Sequence, residues 1–136
     1  MERTFIMIKP DAVRRKLIGE LLARIERRNF TIVAMKMLTP SKELAEQHYA
    51  VHKGKEFFDP LVQFIMSGPV VAIMVEGENT IKLMRNIMGA TNPDQAVPGS
   101  IRGDLTISVR ENLIHGSDSL DAANTEIGIW FPELSD

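Results

Sequence analysis

The stretch V-V-A-I-M-V at positions 70–75 decides the fold, because it is a continuous apolar run of strand length. A strand without polar alternation is typical of a position covered on both faces, so residues 70–75 predict a buried central strand. Ser67-Gly68-Pro69 ends an apolar helical segment just before it, and a helix is predicted at 78–88 just after it. The chain is therefore predicted to alternate strands and helices around this segment.

The pattern continues outward in both directions. Residues 4–9 and 31–38 are apolar, β-rich stretches that stop at Pro10 and at Thr39-Pro40. Residues 18–28 carry apolar side chains at i, i+3, i+4 and i+7, the period of an amphipathic helix. Further helices are predicted from an N-cap at Ser41 to about His52, at 57–66, and after an N-cap at Ser119, where Ala123, Ile127, Trp130, Phe131 and Leu134 share one face.

With a short strand at 113–114, the order is β, α, β, α, α, β, α, loop, β, α. This order contains a split β-α-β-β-α-β unit with insertions. We predict an α+β, ferredoxin-like fold: a four-stranded antiparallel sheet with helices packed on one face, and added helices. Residues 89 to about 104 have no clear periodicity and hold several Pro and Gly residues, so a long structureless loop with a functional role is predicted there.

Composition limits the class of protein. A length of 136 residues fits one domain, 1–136. The absence of cysteine excludes disulfides, thiolate metal sites and a cysteine nucleophile. No apolar run approaches the ~20 residues of a membrane span, and the N-terminal one is too short for a signal peptide, so a cytoplasmic protein is expected. A net charge of −2 gives no reason to expect nucleic acid as the main partner.

The three histidines are the first candidates for chemistry. His48 and His52 lie four residues apart on a predicted helix, a spacing that can hold zinc. No third ligand accompanies them, so a solvated or packing role is favoured. His115 lies at a predicted strand end, before Gly116 and beside a helix start whose free amides favour an anion. Gly116 would let a ligand approach the backbone closely. Taken alone, the spacing still favours a structural histidine over a nucleophile.

Phosphate binding is the second question. Neither G-x-x-x-x-G-K-[ST] nor a G-x-G-x-x-G after a strand occurs, so any phosphate must be held by side chains. Lys9 at a strand end, Arg85 on a helix and Arg102 in the long loop are candidates, since arginine grips phosphate oxygens bidentately and lysine supplies a point charge. Each could equally be a solvated surface cation. Phe57 or Phe58 could stack on a base, although a core role for at least one is expected.

Seven runs in order along the chain resemble the motifs of the nucleoside diphosphate kinase family. They are I-K-P-D-A-V at 8–13, H-Y-A-V-H-K-G-K-E-F-F at 48–58, S-G-P-V-V at 67–71, M-G-A-T-N-P at 88–93, P-G-S-I-R-G-D at 98–104, N-L-I-H-G-S-D-S at 112–119 and E-I-G-I-W-F at 126–131. The resemblance covers essentially the whole chain, and seven runs in register are specific. It implies an enzyme that passes the γ-phosphate of ATP, or of another nucleoside triphosphate, to a nucleoside diphosphate by a ping-pong mechanism.

The resemblance also implies a role for each matched residue. His115 matches the phosphorylated histidine, Glu126 the carboxylate that orients its ring, and Ser117 a hydroxyl beside it. Tyr49 matches a tyrosine that supports the histidine and the lysine. The remaining matches are the phosphate ligands Lys9, Arg85, Thr91 and Arg102, the sugar contact Asn112, and the base contacts Phe57 and Val109 on opposite sides. Stacking with few base-edge hydrogen bonds would explain tolerance of every base.

Magnesium is implied with the nucleotide phosphates. Asp118 would touch it only through water, so no residue is assigned as a direct metal ligand. The implied partners are nucleoside di- and triphosphates and further copies of the chain, in a tetramer or hexamer. A catalytically silent, nucleotide-sensing relative is the alternative, but it should lack a matched position, and all are present.

Two positions depart from the family pattern. Glu56 stands where the family most often has proline, which should loosen the backbone before Phe57 and shift the stacking ring. Ser100 replaces the more common threonine; a hydroxyl is retained, so little effect is expected.

Overall fold

The computed structural model describes residues 1–134. Four antiparallel strands form one sheet in the order β2-β3-β1-β4. The strands are β1 (Glu2–Ile8), β2 (Thr31–Leu38), β3 (Val70–Gly77) and β4 (Ile114–Gly116). The helices are α1 (Pro10–Arg14), α2 (Ile18–Arg27), α3 (Lys42–His48), α4 (Phe58–Ile65), α5 (Thr80–Met88), α6 (Ile101–Leu105) and α7 (Leu120–Trp130), with 3-10 turns at Ala50–His52 and Pro132–Leu134. The predicted α+β class and the four-stranded antiparallel sheet are confirmed.

Strand β3 lies inside the sheet, paired with β1 and β2, and its first six residues are all buried. Because strand side chains alternate between faces, this burial requires cover on both sides. Val71, Ile73 and Val75 pack in the cluster that contains α2 and α5. The other face supplies Val70, Ala72 and Met74 to a second cluster, built with α3, α4 and α7.

The two helices of the split unit, α2 and α5, pack on one face of the sheet as predicted, and the added helices α3, α4 and α7 cover the other face. Helices cover both faces, because β1 carries apolar side chains on both sides as β3 does. Ile6 and Ile8 point into the first cluster, whereas Phe5 and Met7 point into the second. Leaving either set in water would forgo the main favourable term of folding, roughly 1.5–3 kcal/mol for each large apolar side chain.

Two short helices were not predicted. α1 opens with Pro10 at its first turn, where the missing N–H costs nothing, and its five residues are too few to show a period. α6 lies within the segment predicted to be structureless. The Ser100 hydroxyl caps it by accepting from the Gly103 amide at 3.0 Å and donates to the Val97 carbonyl at 2.6 Å. The hydroxyl shared by serine and threonine thus has a structural use here.

The helix predicted from Ser41 to about His52 is shorter than expected. The Ser41 hydroxyl caps it as predicted, accepting from the Leu44 amide at 3.1 Å. α3 ends at His48, and the chain turns through the 3-10 segment at Ala50–His52. His48, the last residue of α3, is buried against Phe5 of β1. Among residues 1–134, no helix is both long enough and apolar enough to cross a membrane.

Candidate active site

His115 is the middle residue of β4, where it is paired with Met7 of β1. Its Nε2 lies 2.8 Å from Oε1 of Glu126 on α7. The same carboxylate oxygen accepts a hydrogen bond from the Ser117 hydroxyl at 2.7 Å. A carboxylate partner requires a proton on Nε2, so the neutral imidazole carries its lone pair on Nδ1. Two elements that are adjacent in sequence therefore orient the ring and set its tautomer.

A strained turn at Leu113 directly precedes β4. Leu113 has φ of +74°, and the Ile114 amide donates across it to the Asn112 carbonyl at 2.9 Å, which is a γ-turn of the rare positive-φ type. Such a conformation costs a non-glycine residue about 1–3 kcal/mol. Its neighbours hold it in place: the Leu113 amide donates to Oδ2 of Asp11 at 3.0 Å, and its carbonyl accepts from the Lys9 amide at 2.9 Å. The turn directs Asn112 toward Lys9, whose Nζ donates to Oδ1 of Asn112 at 3.1 Å.

Three cations surround this turn. Burial, and then the charge of Arg102, lowers the pKa of Lys9 to about 8. Burial, and then the charge of Arg85, lowers the pKa of Arg102 to about 10. Both shifts have the sign expected when a cation is removed from water and placed near another cation. The cluster would therefore be stabilised by a bound anion.

The arginines are held by backbone carbonyls. Arg102 is buried and donates through Nε to Asn112 at 3.2 Å, through Nη1 to Gly89 at 2.8 Å, and through Nη2 to Ile114. Arg85 is exposed, and its Nη1 donates to the Gly116 carbonyl at 3.1 Å. Because a guanidinium has five N–H donors, Arg102 keeps two for a ligand after binding these three carbonyls.

The cations and the histidine open onto one cavity of about 620 Å³, which we call the cationic cavity. It adjoins a second space of about 520 Å³, the aromatic cavity, and Lys9, Thr91 and Asn112 line both. Every predicted site residue except Ser117 lines one of the two. The cationic cavity holds Tyr49, Arg85, Arg102, His115, Gly116 and Glu126, and the aromatic cavity holds Phe57 and Val109. Ser117 is buried behind Glu126 and reaches the site only through it.

The aromatic cavity shows which of the two phenylalanines, Phe57 or Phe58, is available to stack on a base. Phe58 is 8% exposed and belongs to the core, whereas Phe57 is 47% exposed and lines the cavity. Val109 is 53% exposed there. Gly116 also relieves a steric conflict: a Cβ at this position would lie 2.6 Å from Sδ of Met88, so a larger residue would force the Met88 side chain to shift.

His48 and Asp11 are buried residues at this site to which sequence reasoning assigned no part in the chemistry; for His48 it favoured a solvated or packing role. His48 is 7% exposed; its Nδ1 accepts from Nε1 of Trp130 at 3.0 Å, and its ring centroid lies 4.7 Å from that of His115. The spacing of residues along the sequence could not reveal this contact, because His48 and His115 lie in distant parts of the chain. The zinc pairing of His48 with His52 is not the one seen: among residues 1–134, the possible ligand group is His48, His115 and Glu126.

The fold and the site together define a class of protein. A histidine held by a carboxylate and faced by one lysine and two arginines suits an enzyme that moves phosphoryl groups through a side-chain nucleophile.

Comparison with known proteins identifies the family. The model of the nucleoside diphosphate kinase family matches residues 2–135. Nucleoside diphosphate kinases from Staphylococcus aureus and from a Synechococcus species are 56% and 59% identical, over 98% and 99% of this chain and 89% and 90% of theirs. The chain belongs to the nucleoside diphosphate kinase family. The resemblance noted in the sequence and the expected enzyme class, a phosphotransferase acting on nucleotides, are thereby confirmed.

Solved structures of this family have the same fold as this chain. The nucleoside diphosphate kinase of Encephalitozoon cuniculi superposes with a TM-score of 0.93 at 42% identity, over 96% of this chain and 89% of that one. A nucleoside diphosphate kinase family protein from Babesia bovis gives a TM-score of 0.95 at 44% identity, over 98% and 90%.

Proposed function

We propose that this chain transfers the γ-phosphoryl group of a nucleoside triphosphate to a nucleoside diphosphate through a phosphohistidine at Nδ1 of His115. The observation that carries the proposal is the 2.8 Å contact between Nε2 of His115 and Glu126. It puts the proton on Nε2 and the lone pair on Nδ1, in a histidine that lines a cavity rich in cations.

In the first half-reaction, Nδ1 attacks the γ-phosphorus. The bond between nitrogen and phosphorus forms, the bond to the β–γ bridging oxygen breaks, and the nucleoside diphosphate leaves with that oxygen. The ring keeps its proton on Nε2 and becomes cationic, and the Glu126 carboxylate stabilises that charge, as in other carboxylate–histidine pairs. In the second half-reaction, a terminal oxygen of another nucleoside diphosphate attacks the phosphorus and restores the neutral imidazole. No water and no net proton are consumed.

The three cations would stabilise the charge spread over the transferring group. Arg102 reaches the reaction already oriented, because three backbone carbonyls hold its guanidinium. Lys9 and Asn112 lie where the two cavities meet, a position that suits the phosphates and the sugar of one nucleotide. Thr91 lies at the same junction, and Tyr49 lines the cationic cavity and packs edge-on against His48. Phe57 and Val109 would then hold the base between two apolar surfaces.

Magnesium is proposed to enter with the nucleotide and to neutralise its phosphate oxygens. The donor chemistry of the cationic cavity fits this ion, since the exposed carboxylates of Asp118 and Asp121 line it. Oxygen ligands reached through water suit Mg²⁺, whereas the nitrogen-rich group around His48 does not. These carboxylates would hold the hydrated ion near the phosphates.

We also propose that the chain is one domain, works in the cytoplasm and forms a tetramer or a hexamer. Support for self-association comes from β2, an edge strand of the sheet, where Val33, Met35 and Met37 expose 38%, 51% and 56% of their surface. Apolar side chains along a free strand edge favour pairing with another chain.

The proposal is tested by incubating the protein with Mg·ATP labelled in the γ-phosphate. We expect a phosphoprotein that is stable in alkali and labile in acid, with the label in the peptide containing His115. Adding any nucleoside diphosphate should discharge it. In His115→Ala the label should disappear and turnover should fall roughly 10⁴-fold or more. A silent, nucleotide-sensing role would instead show nucleotide binding without labelling, and label surviving in His115→Ala would refute the mechanism.

A further inference from the structure

Three aromatic rings pack together behind the proposed nucleophile. The centroid of the His48 ring lies 4.7 Å from that of His115, with an angle of 80° between the ring planes. Phe5 lies 5.9 Å from His115 and 6.0 Å from His48, and it stacks on Trp130 at 5.4 Å. His48, Phe5 and Trp130 are all buried. The imidazole of His115 therefore has a tightly packed aromatic wall behind it.

The hydrogen bond between Trp130 and His48 sets the chemical state of this wall. The Trp130 indole is 1% exposed, and its N–H donates to Nδ1 of His48 at 3.0 Å. An indole nitrogen can only donate, so Nδ1 of His48 must supply a lone pair. In a neutral imidazole the proton then belongs to Nε2.

The surroundings of His48 keep that imidazole neutral. Burial holds the pKa of His48 well below its usual range, and the electrostatic interactions of His48 with its neighbours, among them the Lys9 ammonium, act in the same direction. A neutral ring adds no further positive charge behind a nucleophile that becomes cationic when it is phosphorylated. The wall is thus both packed and uncharged.

A metal site is the competing interpretation of the same residues. One ring nitrogen each from His48 and His115, and one oxygen of Glu126, lie within 4.8 Å of one another. However, a neutral imidazole has a single lone pair, and the Trp130 N–H already occupies that of His48. Coordination would require breaking this hydrogen bond and leaving a buried indole N–H without a partner, at a cost of about 1–3 kcal/mol. The tautomer therefore argues against a metal.

We propose that His48 is a positioning residue for the phosphorylation of His115. This inference rests on the function proposed above. Glu126 holds one atom of the His115 ring, which still permits the ring to tilt about that hydrogen bond. The edge-to-face contact with His48 removes this freedom and fixes the direction in which Nδ1 points. In-line attack on phosphorus depends on that direction, and a misplacement of about 1 Å can slow a reaction 10²-fold.

Two substitutions separate positioning from simple support of Trp130. The side-chain oxygen of asparagine lies near the place of histidine Nδ1, so His48→Asn keeps the acceptor for Trp130 and removes the outer half of the ring that contacts His115. His48→Gln reaches toward His115 through its terminal amide but offers no acceptor at the δ position. The measurements are the melting temperature, the single-turnover rate of labelling at saturating Mg·ATP, and the KM for ATP.

We expect His48→Asn to keep a melting temperature near that of the parent and to label about 10- to 100-fold more slowly, with KM changed less than about twofold. We expect His48→Gln to melt lower but to label faster than His48→Asn. In ³¹P spectra of the alkali-denatured phosphoprotein, the parent should show only the Nδ1 isomer, and His48→Asn should also show the Nε2 isomer. A change of isomer cannot arise from lost stability.

The outcomes are distinct. If the parent itself is not labelled at His115, the proposed function fails. If the parent is labelled and His48→Asn labels at the same rate with one isomer, His48 only supports Trp130 and the inference is overturned. Binding of one Zn²⁺ that His48→Asn abolishes would also overturn it, because His48 would then be a ligand. Ile65→Val, which removes one methylene from the same core cluster, is the control for stability and should label at the parent rate.

Discussion

The two cavities of the site are built on opposite principles. In the cationic cavity, Lys9 is 7% exposed and Arg102 5%, and hydrogen bonds fix both side chains. In the aromatic cavity, Phe57 is 47% exposed and Val109 53%, and these side chains provide surface rather than hydrogen bonds. The phosphates would thus bind side chains that hydrogen bonds already hold in place, whereas the base would contact two exposed apolar side chains.

This difference separates what all nucleotides share from what distinguishes them. Every nucleotide substrate carries the same phosphates, so one rigid arrangement of cations can bind them all. Bases differ in their hydrogen-bonding edges but all present a π-face, which an exposed ring can contact without selecting among them. We therefore expect large losses of rate from changes in the cationic cavity and small, base-independent changes of affinity from those in the aromatic cavity.

Replacing Arg102 should have the largest effect of the four substitutions below. In Arg102→Ala, kcat/KM should fall by about 10²-fold, because one charge-stabilising donor is lost. The variant should also be less stable by roughly 2–4 kcal/mol, since three carbonyl oxygens lose their partner. Steady-state kinetics and urea unfolding measure the two effects. Assays run well below the melting temperature separate them, and unchanged kinetics there would remove Arg102 from the phosphate site.

Replacing Lys9 tests whether its buried positive charge lowers the free energy of unfolding. Its pKa in the folded protein is about 8 and its ordinary value is 10.5, so the folded state loses the proton first as pH rises. Between these values the unfolded chain binds more protons, and the parent gains stability with rising pH, up to about 3 kcal/mol from this group. Lys9→Met should therefore be more stable than the parent at pH 7, and its advantage should shrink between pH 8 and 10.5.

The same variant should lose roughly 10-fold or more in kcat/KM at pH 7, because a phosphate cation is missing. Urea unfolding at pH 7, 8, 9 and 10 measures the stability difference. Lys82→Met, which removes an exposed lysine from α5, is the control and should show no such trend. A difference for Lys9→Met that does not vary with pH would contradict the assignment of the shift to Lys9.

Phe57 tests the aromatic cavity. In Phe57→Ala, the loss of one stacking surface should raise KM by about 5- to 50-fold with little change in the single-turnover rate of labelling. The factor should be similar for adenine, guanine, cytosine and thymine nucleotides. KM values for the four triphosphates decide the point. A loss confined to one base would show that this cavity selects and would break the contrast with the cationic cavity.

Glu56 should have the smallest effect. Glu56→Pro introduces the residue that the family resemblance leads one to expect here, at an exposed turn position. We expect KM to change less than about twofold and stability to rise by roughly 0.4–1 kcal/mol, because the unfolded chain loses conformational freedom. Thermal unfolding and KM for ATP measure this. A larger drop in KM would show that the glutamate displaces the stacking ring of Phe57.

The sheet could be predicted because each strand shows its own local pattern. Residues 70–75 predict a strand covered on both faces, and β3 is one. A second layer of helices follows from the same reasoning, because β1 is also apolar on both faces and its Phe5 and Met7 need cover as much as Ile6 and Ile8 do. α1 and α6 were missed since five residues cannot display a helical period.

The candidate site could be predicted only through residues that stand within short motifs. His115, Ser117 and Glu126 are close in sequence and form one hydrogen-bonded group. His48 contacts the His115 ring and Asp11 holds the Leu113 amide from distant parts of the chain, so no spacing rule could connect them to the site. Whether Phe57 or Phe58 faces the cavity depended on where α4 begins, and a helix boundary is the least reliable part of a prediction from sequence.

The strained turn at Leu113 has a consequence for hydrogen exchange. Its amide proton is bound by the buried carboxylate of Asp11, and its carbonyl is held by the Lys9 amide. Deuterium can reach that amide only when the contact between β4 and the end of β1 opens. The exchange rate of one amide, two residues before the nucleophile, would therefore report how often this edge of the sheet opens, independently of turnover. Nucleotide that binds Lys9 and Asn112 would slow that exchange before any phosphate is transferred.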